Sequence, residues 1–353
     1  MEQKLPILGV TMGDPCGIGP EVAVKALSHK EVYEMCRPLI IGSADVIRMA
    51  IDYCNLNLSV NPVSRVEDAK FTCGTVDVYD QDTVNISELK LGEVSVQGGN
   101  AAYRAVEKVI ELAMKGEVDA TITGPLNKEA LNLAGWHYSG HTEIYADLTH
   151  TKDYCMMLAN QDFRIVHVST HVSLREACDR CTTEREYKVI RLADQVCREL
   201  GIEQPRVAVA GLNPHCGEHG LFGTEEIEQI APAVEQARAE GLYVDGPIPP
   251  DTVFSKARGG QYDIVVAQYH DQGHIPMKFE GFQYDKEHDR WTDVAGVNIT
   301  LGLPIIRSSV DHGTAFDKAG MGTANEQSML DAIRYGVQLT TRRMKEKGEK
   351  QNA

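Results

Sequence analysis

Several classes of protein are excluded by what this sequence lacks. No run of about eighteen consecutive apolar residues occurs, so no segment is long and apolar enough to be expected to cross a bilayer as a helix. The opening stretch "MEQKLPILGVTMGDP" has no apolar segment with a small-residue cleavage site, which predicts a cytoplasmic protein. The glycine-rich stretch "GDPCGIGPE" lacks the G-x-G-x-x-G order, so a Rossmann dinucleotide site is not expected there.

Positive charge is scarce as well. The chain has 35 Lys and Arg against 51 Asp and Glu, a formal net charge of −16. Nucleic acids and anionic membranes bind basic surfaces, so we expect neither as a partner. An anionic substrate would therefore need a local basic pocket. The nine cysteines are an odd number without regular spacing, which indicates reduced thiols, and we interpret the lone C-x-x-C of Cys178 and Cys181 as incidental.

Short apolar runs alternate with amphipathic segments, which is typical of an α/β protein whose sheets are covered on both faces. Six runs predict strands, at 6–12, 38–42, 120–124, 164–170, 206–212 and 263–269. One helix is predicted at 97–115. A second begins at a capping box formed by Thr183 and Glu186 and runs to about residue 200, and a third begins after Thr224. The length of 353 residues allows two domains.

Three histidines stand just after predicted strands: His171, His215 and His270. They could converge, because the carboxyl ends of parallel strands lie at one edge of a sheet. Three imidazoles with an open fourth position are typical of a catalytic divalent-metal site, although a solvated loop at each histidine stays an alternative. His167 lies within its strand and is predicted to be a packed core histidine.

Other polar residues indicate where an anion could bind. In "GHTE" we expect Thr142 to cap a helix, which would place His141 beside free backbone amides as an anion site or leave a plain cap. Lys278 and Arg307 are candidates for the local basic pocket, because Arg holds phosphate bidentately and Lys supplies a point charge. The "GDPCGIGPE" turn favours a structural role over a phosphate cradle, since Glu21 would repel a phosphate.

With these features in place, the sequence resembles the 4-hydroxythreonine-4-phosphate dehydrogenase family over nearly its whole length. The resemblance is carried by "MGDPCGIGPE", "ITGPLNKEAL", "GHTE", "STHVSLR", "GLNPHCGE", "GTEE", "PPDTVF", "YHDQG" and "GVNITLGLPIIRSSVDHGTAFD". It implies a metal-dependent, NAD-linked dehydrogenase that oxidises an alcohol β to a carboxylate, after which the keto acid decarboxylates. The implied fold is similar to isocitrate and isopropylmalate dehydrogenases, with mixed sheets and an interdomain active site at a homodimer interface.

The resemblance also implies domains and site residues. The cofactor-side domain is expected at 1–130 with 296–353, and the metal and dimer domain at 131–295. The implied metal ligands are His171, His215 and His270, shared between two subunits, for Zn, Mg, Mn or Co. The implied substrate contacts are His141, Thr142, Lys278, Asn298 and Arg307. Residues 311–326 look like a cofactor loop, with contacts expected from His312, Gly313, Thr314, Ala315 and Asn325.

Within the family, "YHDQGHIPMK" and "GPLNKEAL" look most like the branch acting on 4-phospho-D-threonate or 4-phospho-D-erythronate. The vitamin B6 enzymes of the family tend to have an apolar residue at the position of His274. The alternative is 4-hydroxy-L-threonine-4-phosphate dehydrogenase of pyridoxal phosphate biosynthesis, and a three-histidine metallohydrolase is a more distant one. Catalytic candidates are Asp251, Asp271 and Lys278. The connection 283–295 is longer than the family's usual one.

Overall fold

The computed structural model describes residues 5–287, 290–294 and 296–351. In chain order its strands are β1 Ile7–Thr11, β2 Arg37–Gly42, β3 Ser59–Val63, β4 Thr75–Asp80, β5 Ala120–Thr123, β6 Cys155–Asn160, β7 Phe163–His167, β8 Val207–Ala210, β9 Val244–Ile248, β10 Ile264–Ala267, β11 Phe282–Asp285, β12 Arg290–Val294, β13 Val297–Leu301 and β14 Arg307–Val310. None of the described helices is long and apolar enough to cross a membrane.

The helices alternate with these strands. They are α1 Gly19–Ala26, α2 Lys30–Met35, α3 Ala44–Tyr53, α4 Val96–Met114, α5 Lys128–Leu133, α6 His141–Leu148, α7 Leu174–Arg180, α8 Thr183–Glu199, α9 Ala231–Ala239, α10 Pro250–Arg258, α11 His270–Gly281 and α12 Gln327–Gln351. All six predicted strands are present, so the α/β class is confirmed.

The chain divides into two compact units, 1–152 with 303–353 and 153–302. In the first, which we call unit 1, the strand order is β3-β4-β2-β1-β5-β14, and every pair is parallel. Helix α4 packs its Tyr103, Val106 and Val109 stripe against this sheet. The approach is close because β1 has Gly9 here: a Cβ on Gly9 would lie 2.5 Å from Val109 Cγ2.

The second compact unit, unit 2, has the order β13-β6-β7-β10-β8-β9. The pairs β13/β6 and β6/β7 are antiparallel, whereas β7/β10, β10/β8 and β8/β9 are parallel, so this sheet is mixed, as predicted. Its core contains Phe163, Ile165, Val265 and Met277. The long 283–295 connection forms the antiparallel β11/β12 hairpin; residues 288, 289 and 295 of it lie outside the described part of the chain.

Two predicted helix starts are wrong, that of α8 by one residue and that of α6 by two. Helix α8 is capped by Thr182, whose hydroxyl accepts from Arg185 N, while Thr183 Oγ1 donates to Gln229 O instead. Helix α6 begins at His141 with Gly140 as its N-cap, so Thr142 lies in the first turn and caps nothing. The cap is the last residue with non-helical backbone angles, and those angles depend on the preceding loop, which the local sequence leaves open.

Candidate active site

In unit 2, the three predicted metal ligands follow neighbouring parallel strands. His171 follows β7, His270 follows β10 and His215 follows β8, with β10 between the other two. The imidazole rings of His171 and His270 lie 5.8 Å apart between centroids. Among the described residues, however, no three His, Cys, Asp or Glu side chains form a group that could hold a metal ion. One chain therefore brings the rings of two of the predicted ligands close together.

His270 is held in one orientation by its neighbours. Its Nδ1 lies 2.7 Å from Asp271 Oδ1, and its ring stacks on that of His274 with centroids 3.6 Å apart. A carboxylate accepts hydrogen bonds, so Nδ1 donates and the lone pair stands on Nε2, the arrangement found behind metal-bound imidazoles. This donor chemistry fits a divalent metal at Nε2. Asp271 and His274 thus fix the His270 ring, the first by a hydrogen bond and the second by stacking.

His215 lies in a strained turn. In the turn Pro214–Gly220, the non-glycine residues His215, Cys216, Glu218 and His219 all have φ between 43° and 58°. Left-handed backbone costs such residues about 1 kcal/mol each, and strain of this kind is concentrated at functional sites. The buried Glu226 holds the turn's entry, because its Oε1 accepts from Leu212 N and Asn213 N, both at 2.7 Å.

The remaining polar residues of unit 2 have distinct surroundings. His167 is buried, and burial chiefly lowers its pKa to about 3, so it is the neutral core histidine predicted. Asp251 is exposed in the first turn of α10, and it adds to the burial that raises the pKa of Cys216, beside His215, to about 11. Asn298 on β13 donates from Nδ2 to Met156 Sδ at 2.8 Å. Lys278 is half-buried on α11, two turns after His270.

In unit 1, Arg307 opens β14 and is buried. Its guanidinium donates to Thr123 Oγ1 at 3.1 Å and Thr142 Oγ1 at 3.5 Å, and lies 5.6 Å from the centre of the Tyr145 ring. Burial lowers the pKa of Arg307 to about 10, with Tyr145 and Glu143 opposing the shift. The lowered pKa means that the surroundings do not fully offset the buried positive charge.

His141 lies beside this cation at the start of α6. Burial and then the Arg307 charge hold its pKa well below the usual range, so its imidazole is neutral. Unit 1 thus brings His141, Thr142 and Arg307 together at the N-terminus of a helix, where backbone amides favour an anion. Sequence reasoning missed Thr123, although a threonine at the end of the apolar run 120–124 was a signal for it.

The predicted cofactor residues lie on the irregular segment 311–326 of unit 1. Gly313 and Asn325 are exposed, whereas Thr314 is buried and its carbonyl accepts from Ile18 N at 2.9 Å. Ala315 has a left-handed φ of 40°. His312 Nδ1 lies 3.0 Å from Gly313 O. The segment is thus held at Thr314 by a hydrogen bond to the "GDPCGIGPE" turn and is exposed to solvent at Gly313.

Comparison with known proteins identifies the family of the chain. The family model "Pyridoxal phosphate biosynthetic protein PdxA" matches residues 34–336. The chain belongs to this family. Its membership confirms the resemblance drawn from the sequence motifs.

Named members of the PdxA family are similar over nearly the whole chain. A Clostridium botulinum protein described as "Putative D-threonate 4-phosphate dehydrogenase" is 46% identical, with 94% of this chain and 96% of the relative covered. A Symbiobacterium thermophilum protein with the same description is 48% identical at the same coverage. A crystal structure of 4-hydroxythreonine-4-phosphate dehydrogenase from Klebsiella pneumoniae has 43% identity and a TM-score of 0.82, covering 95% of this chain and 99% of that one. The chain is therefore an enzyme of the dehydrogenase class.

Proposed function

We propose that the protein oxidises the 3-hydroxyl of a 4-phosphorylated four-carbon sugar acid, 4-phospho-D-threonate or 4-phospho-D-erythronate, with NAD and a divalent metal ion. Hydride leaves C3 for NAD and the hydroxyl proton is released. The C1–C2 bond of the resulting β-keto acid then breaks, giving CO2 and, after protonation at C2, dihydroxyacetone phosphate. The descriptions of the Clostridium and Symbiobacterium relatives support this substrate class. Membership of a dehydrogenase family argues against the metallohydrolase alternative.

The observation that carries the proposal is the buried Arg307 guanidinium, which bonds to Thr123 and Thr142 beside the N-terminus of α6. A substrate phosphate would offset this charge, accepting from the guanidinium, from Thr142 and from the amides that open α6. Phosphate is remote from C3, so its binding energy orients the reacting carbon without taking part in the reaction. Lys278 and Asn298, on unit 2, are proposed as further substrate contacts.

The metal would be held by His171, His215 and His270, for which the oriented His270 is the main support. A bound divalent ion supplies Lewis-acid polarisation of hydroxyl and carboxylate oxygens. Asp271 is occupied in orienting His270, so we assign proton transfer to Asp251 and Lys278 instead. Cofactor contacts are proposed from His312, Gly313, Thr314, Ala315 and Asn325 on unit 1, which makes unit 1 the cofactor side and unit 2 the metal side.

We propose a homodimer in which each metal site takes ligands from both chains. The absence of a complete metal-holding group among the described residues of one chain supports this assembly. Large apolar side chains of unit 2 are exposed in the isolated chain, including Leu174, Leu221, Phe222, Ile275 and Phe279. Apolar surface is typical of an interface where it forms a contiguous patch, and we propose that a second copy covers these side chains.

Mixing inactive variants tests the shared site. Because His171 and His270 lie together in one chain, we expect His215→Ala chains to complement His171→Ala or His270→Ala chains after subunit exchange. Each mixed dimer would regain one intact site, giving about one quarter of wild-type activity for random pairing in a two-fold dimer. Mixing His171→Ala with His270→Ala should restore nothing. If exchange is demonstrated by mass spectrometry and no pair recovers activity, the site is not shared.

The substrate assignment is tested by the absorbance of NADH formed from each candidate acid with NAD and a divalent metal. The competing substrate, 4-phosphohydroxy-L-threonine, is favoured by the name of the Klebsiella neighbour and carries an ammonium at C2 where the sugar acids carry a hydroxyl. A carboxylate suits an ammonium, whereas a neutral imidazole can donate to or accept from a hydroxyl. His274 stacks on the proposed metal ligand His270, and we propose that its imidazole is the partner of the C2 hydroxyl. We therefore expect a higher kcat/KM for 4-phospho-D-threonate or 4-phospho-D-erythronate than for 4-phosphohydroxy-L-threonine.

Substitution of His274 completes this prediction. His274→Leu should narrow the ratio of the two kcat/KM values by a factor on the order of ten, the effect of one lost hydrogen bond. His274→Phe is the matched control, since it keeps a flat ring against His270 and lacks the nitrogen atoms. Equal narrowing in both variants supports a polar contact, and narrowing in the Leu variant alone means that the ring only positions His270. Faster turnover of the amino acid by the wild-type enzyme would make the biosynthetic alternative correct.

A further inference from the structure

A side-chain pair on α1 holds one peptide unit at the end of the 311–326 segment. Glu21 Oε1 accepts from Ala324 N at 2.6 Å, and Lys25 Nζ donates to Ala324 O at 2.5 Å. Glu21 and Lys25 are themselves 3.6 Å apart, so acid and base bind each other as well as the two backbone groups of Ala324. All these residues belong to unit 1.

The contact continues along one face of the chain. Glu21, Lys25 and His29 are spaced four residues apart, and His29 Nε2 lies 3.1 Å from Glu326 Oε1. Glu21 and Lys25 are four apart on α1 and so lie on the same side of that helix, whereas His29 lies in the turn between α1 and α2. Together the three side chains contact 324–326. Between these contacts Asn325 is exposed, and its Oδ1 accepts from Gln327 N at the start of α12.

Burial distinguishes Glu21 from an ordinary acid near a helix N-terminus. The Glu21 side chain is fully buried, whereas first-turn acids that only complement the helix dipole sit in water. A buried carboxylate is unfavourable unless hydrogen bonds and an opposite charge compensate it. Here that compensation comes from Ala324 N and Lys25, so keeping the acid is coupled to keeping Ala324 in place. This contact also explains an acid in the glycine-rich turn, where a phosphate would not be favoured.

The segment 311–326 combines buried residues with exposed neighbours. Thr314 and Ala324 are buried, while their neighbours Gly313 and Asn325 are exposed, and a Cβ on Gly313 would meet no atom within 4 Å. We infer that Glu21 and Lys25 are positioning residues for NAD: they fix Ala324, and thereby hold in place the neighbouring Asn325, one of the cofactor contacts proposed above. This inference rests on the proposed NAD-linked function.

The test measures cofactor binding without turnover. Titration calorimetry with ADP-ribose, which contains the adenosine half of NAD, is run on Glu21→Ala, Glu21→Gln and Lys25→Met. We expect Glu21→Ala and Lys25→Met to raise the Kd for ADP-ribose about tenfold, the scale of one lost hydrogen bond to a charged group. Glu21→Gln keeps an oxygen for Ala324 N and should retain most of the affinity. In steady-state assays the KM for NAD should rise while kcat and the KM for the phosphorylated acid stay close to wild type.

The matched controls are Lys30→Met and Glu34→Ala. These residues form an exposed pair on α2 with the same four-residue spacing, 2.9 Å apart. Neither control should change the Kd. Hydrogen exchange gives a second readout, since peptides containing Ala324 should exchange faster in Glu21→Ala and Lys25→Met than in the controls. The Lys25→Met and Glu21→Gln variants keep the test open if Glu21→Ala does not fold.

The outcomes separate the two proposals. A wild-type enzyme that binds neither ADP-ribose nor NADH contradicts the NAD-linked function itself, and with it this inference. Wild-type binding that is unchanged in Glu21→Ala and Lys25→Met overturns the positioning role alone, whatever the exchange rates. A loss of affinity equal in Glu21→Ala and in Glu34→Ala would also overturn it, because the effect would then be one of overall charge.

Discussion

Replacing His171, His215 or His270 by alanine is expected to abolish turnover and lower the metal content of the purified enzyme. Losing an outer partner of a metal ligand already costs about 10- to 100-fold in affinity or activity, so loss of a ligand should cost at least ~100-fold. The effect should be as large for His215 as for His270, whose ring lies 5.8 Å from that of His171 in one chain. Metal analysis and NADH absorbance of each variant measure it.

His219→Ala is the matched control for this prediction. His219 is exposed in the same left-handed turn as His215, with φ of 57°, and belongs to no predicted ligand set. It should keep its metal and its activity. Full metal content with full activity in any of the three ligand variants would remove that histidine from the site. Asp271→Asn should lower metal affinity less than His270→Ala, because the amide can still bond to His270 Nδ1.

Arg307→Met should reduce kcat/KM for the phosphorylated acid by ~100-fold or more. Removing one partner of a buried, hydrogen-bonded charge pair costs about 2–5 kcal/mol, and the lost contact here would be to substrate phosphate. The folded protein should not lose stability. Burial lowers the pKa of Arg307 to about 10, which means that its charged form is disfavoured in the folded state. The melting temperature of Arg307→Met should therefore equal or exceed that of the wild type.

Two comparisons make the Arg307 prediction specific. Inorganic phosphate should raise the melting temperature of the wild type and not that of Arg307→Met. Arg307→Lys keeps the charge without the planar fork and should lie between the two in kcat/KM. If Arg307→Met lowers kcat/KM equally for the phosphorylated acid and for its dephosphorylated analogue, Arg307 does not bind the phosphate. A large fall in melting temperature would mean that the arginine stabilises the fold instead.

Local sequence predicted six strands that are rich in apolar residues. The strands β1, β2, β5, β7, β8 and β10 were each read from a short apolar run, because a parallel strand covered on both faces needs apolar residues at nearly every position. Strands such as β3, with "SVNPV", and β9, with "VDGPI", carry polar residues, glycine or proline, and were missed. Both lie at sheet edges, where an incomplete ladder tolerates such residues.

The candidate site divides in the same way. Placement of His171, His215 and His270 after strands followed from the sequence, because strand direction puts their loops at one edge. The stacking of His274 on His270 and the pairing of His270 with Asp271 required only that 270–281 form a helix, and a four-residue spacing then brought them together. The Thr142 cap was wrong because the backbone angles of the preceding loop decide where a helix begins, and here the N-cap is Gly140.

The sequence by itself determined the α/β class, the family and the residue types that carry the chemistry, since periodicity and motifs are properties of neighbouring residues. Only the tertiary structure decided which distant residues meet. Arg307 reaches Thr123 and Thr142, and Glu21 reaches Ala324, across separations of 165 to 303 residues. No local pattern encodes such contacts, because they depend on which strands lie next to each other in the sheet. Burial is likewise decided by the tertiary structure. It lowers the pKa of Arg307, and it makes the Glu21 carboxylate depend on its hydrogen bond with Ala324 N.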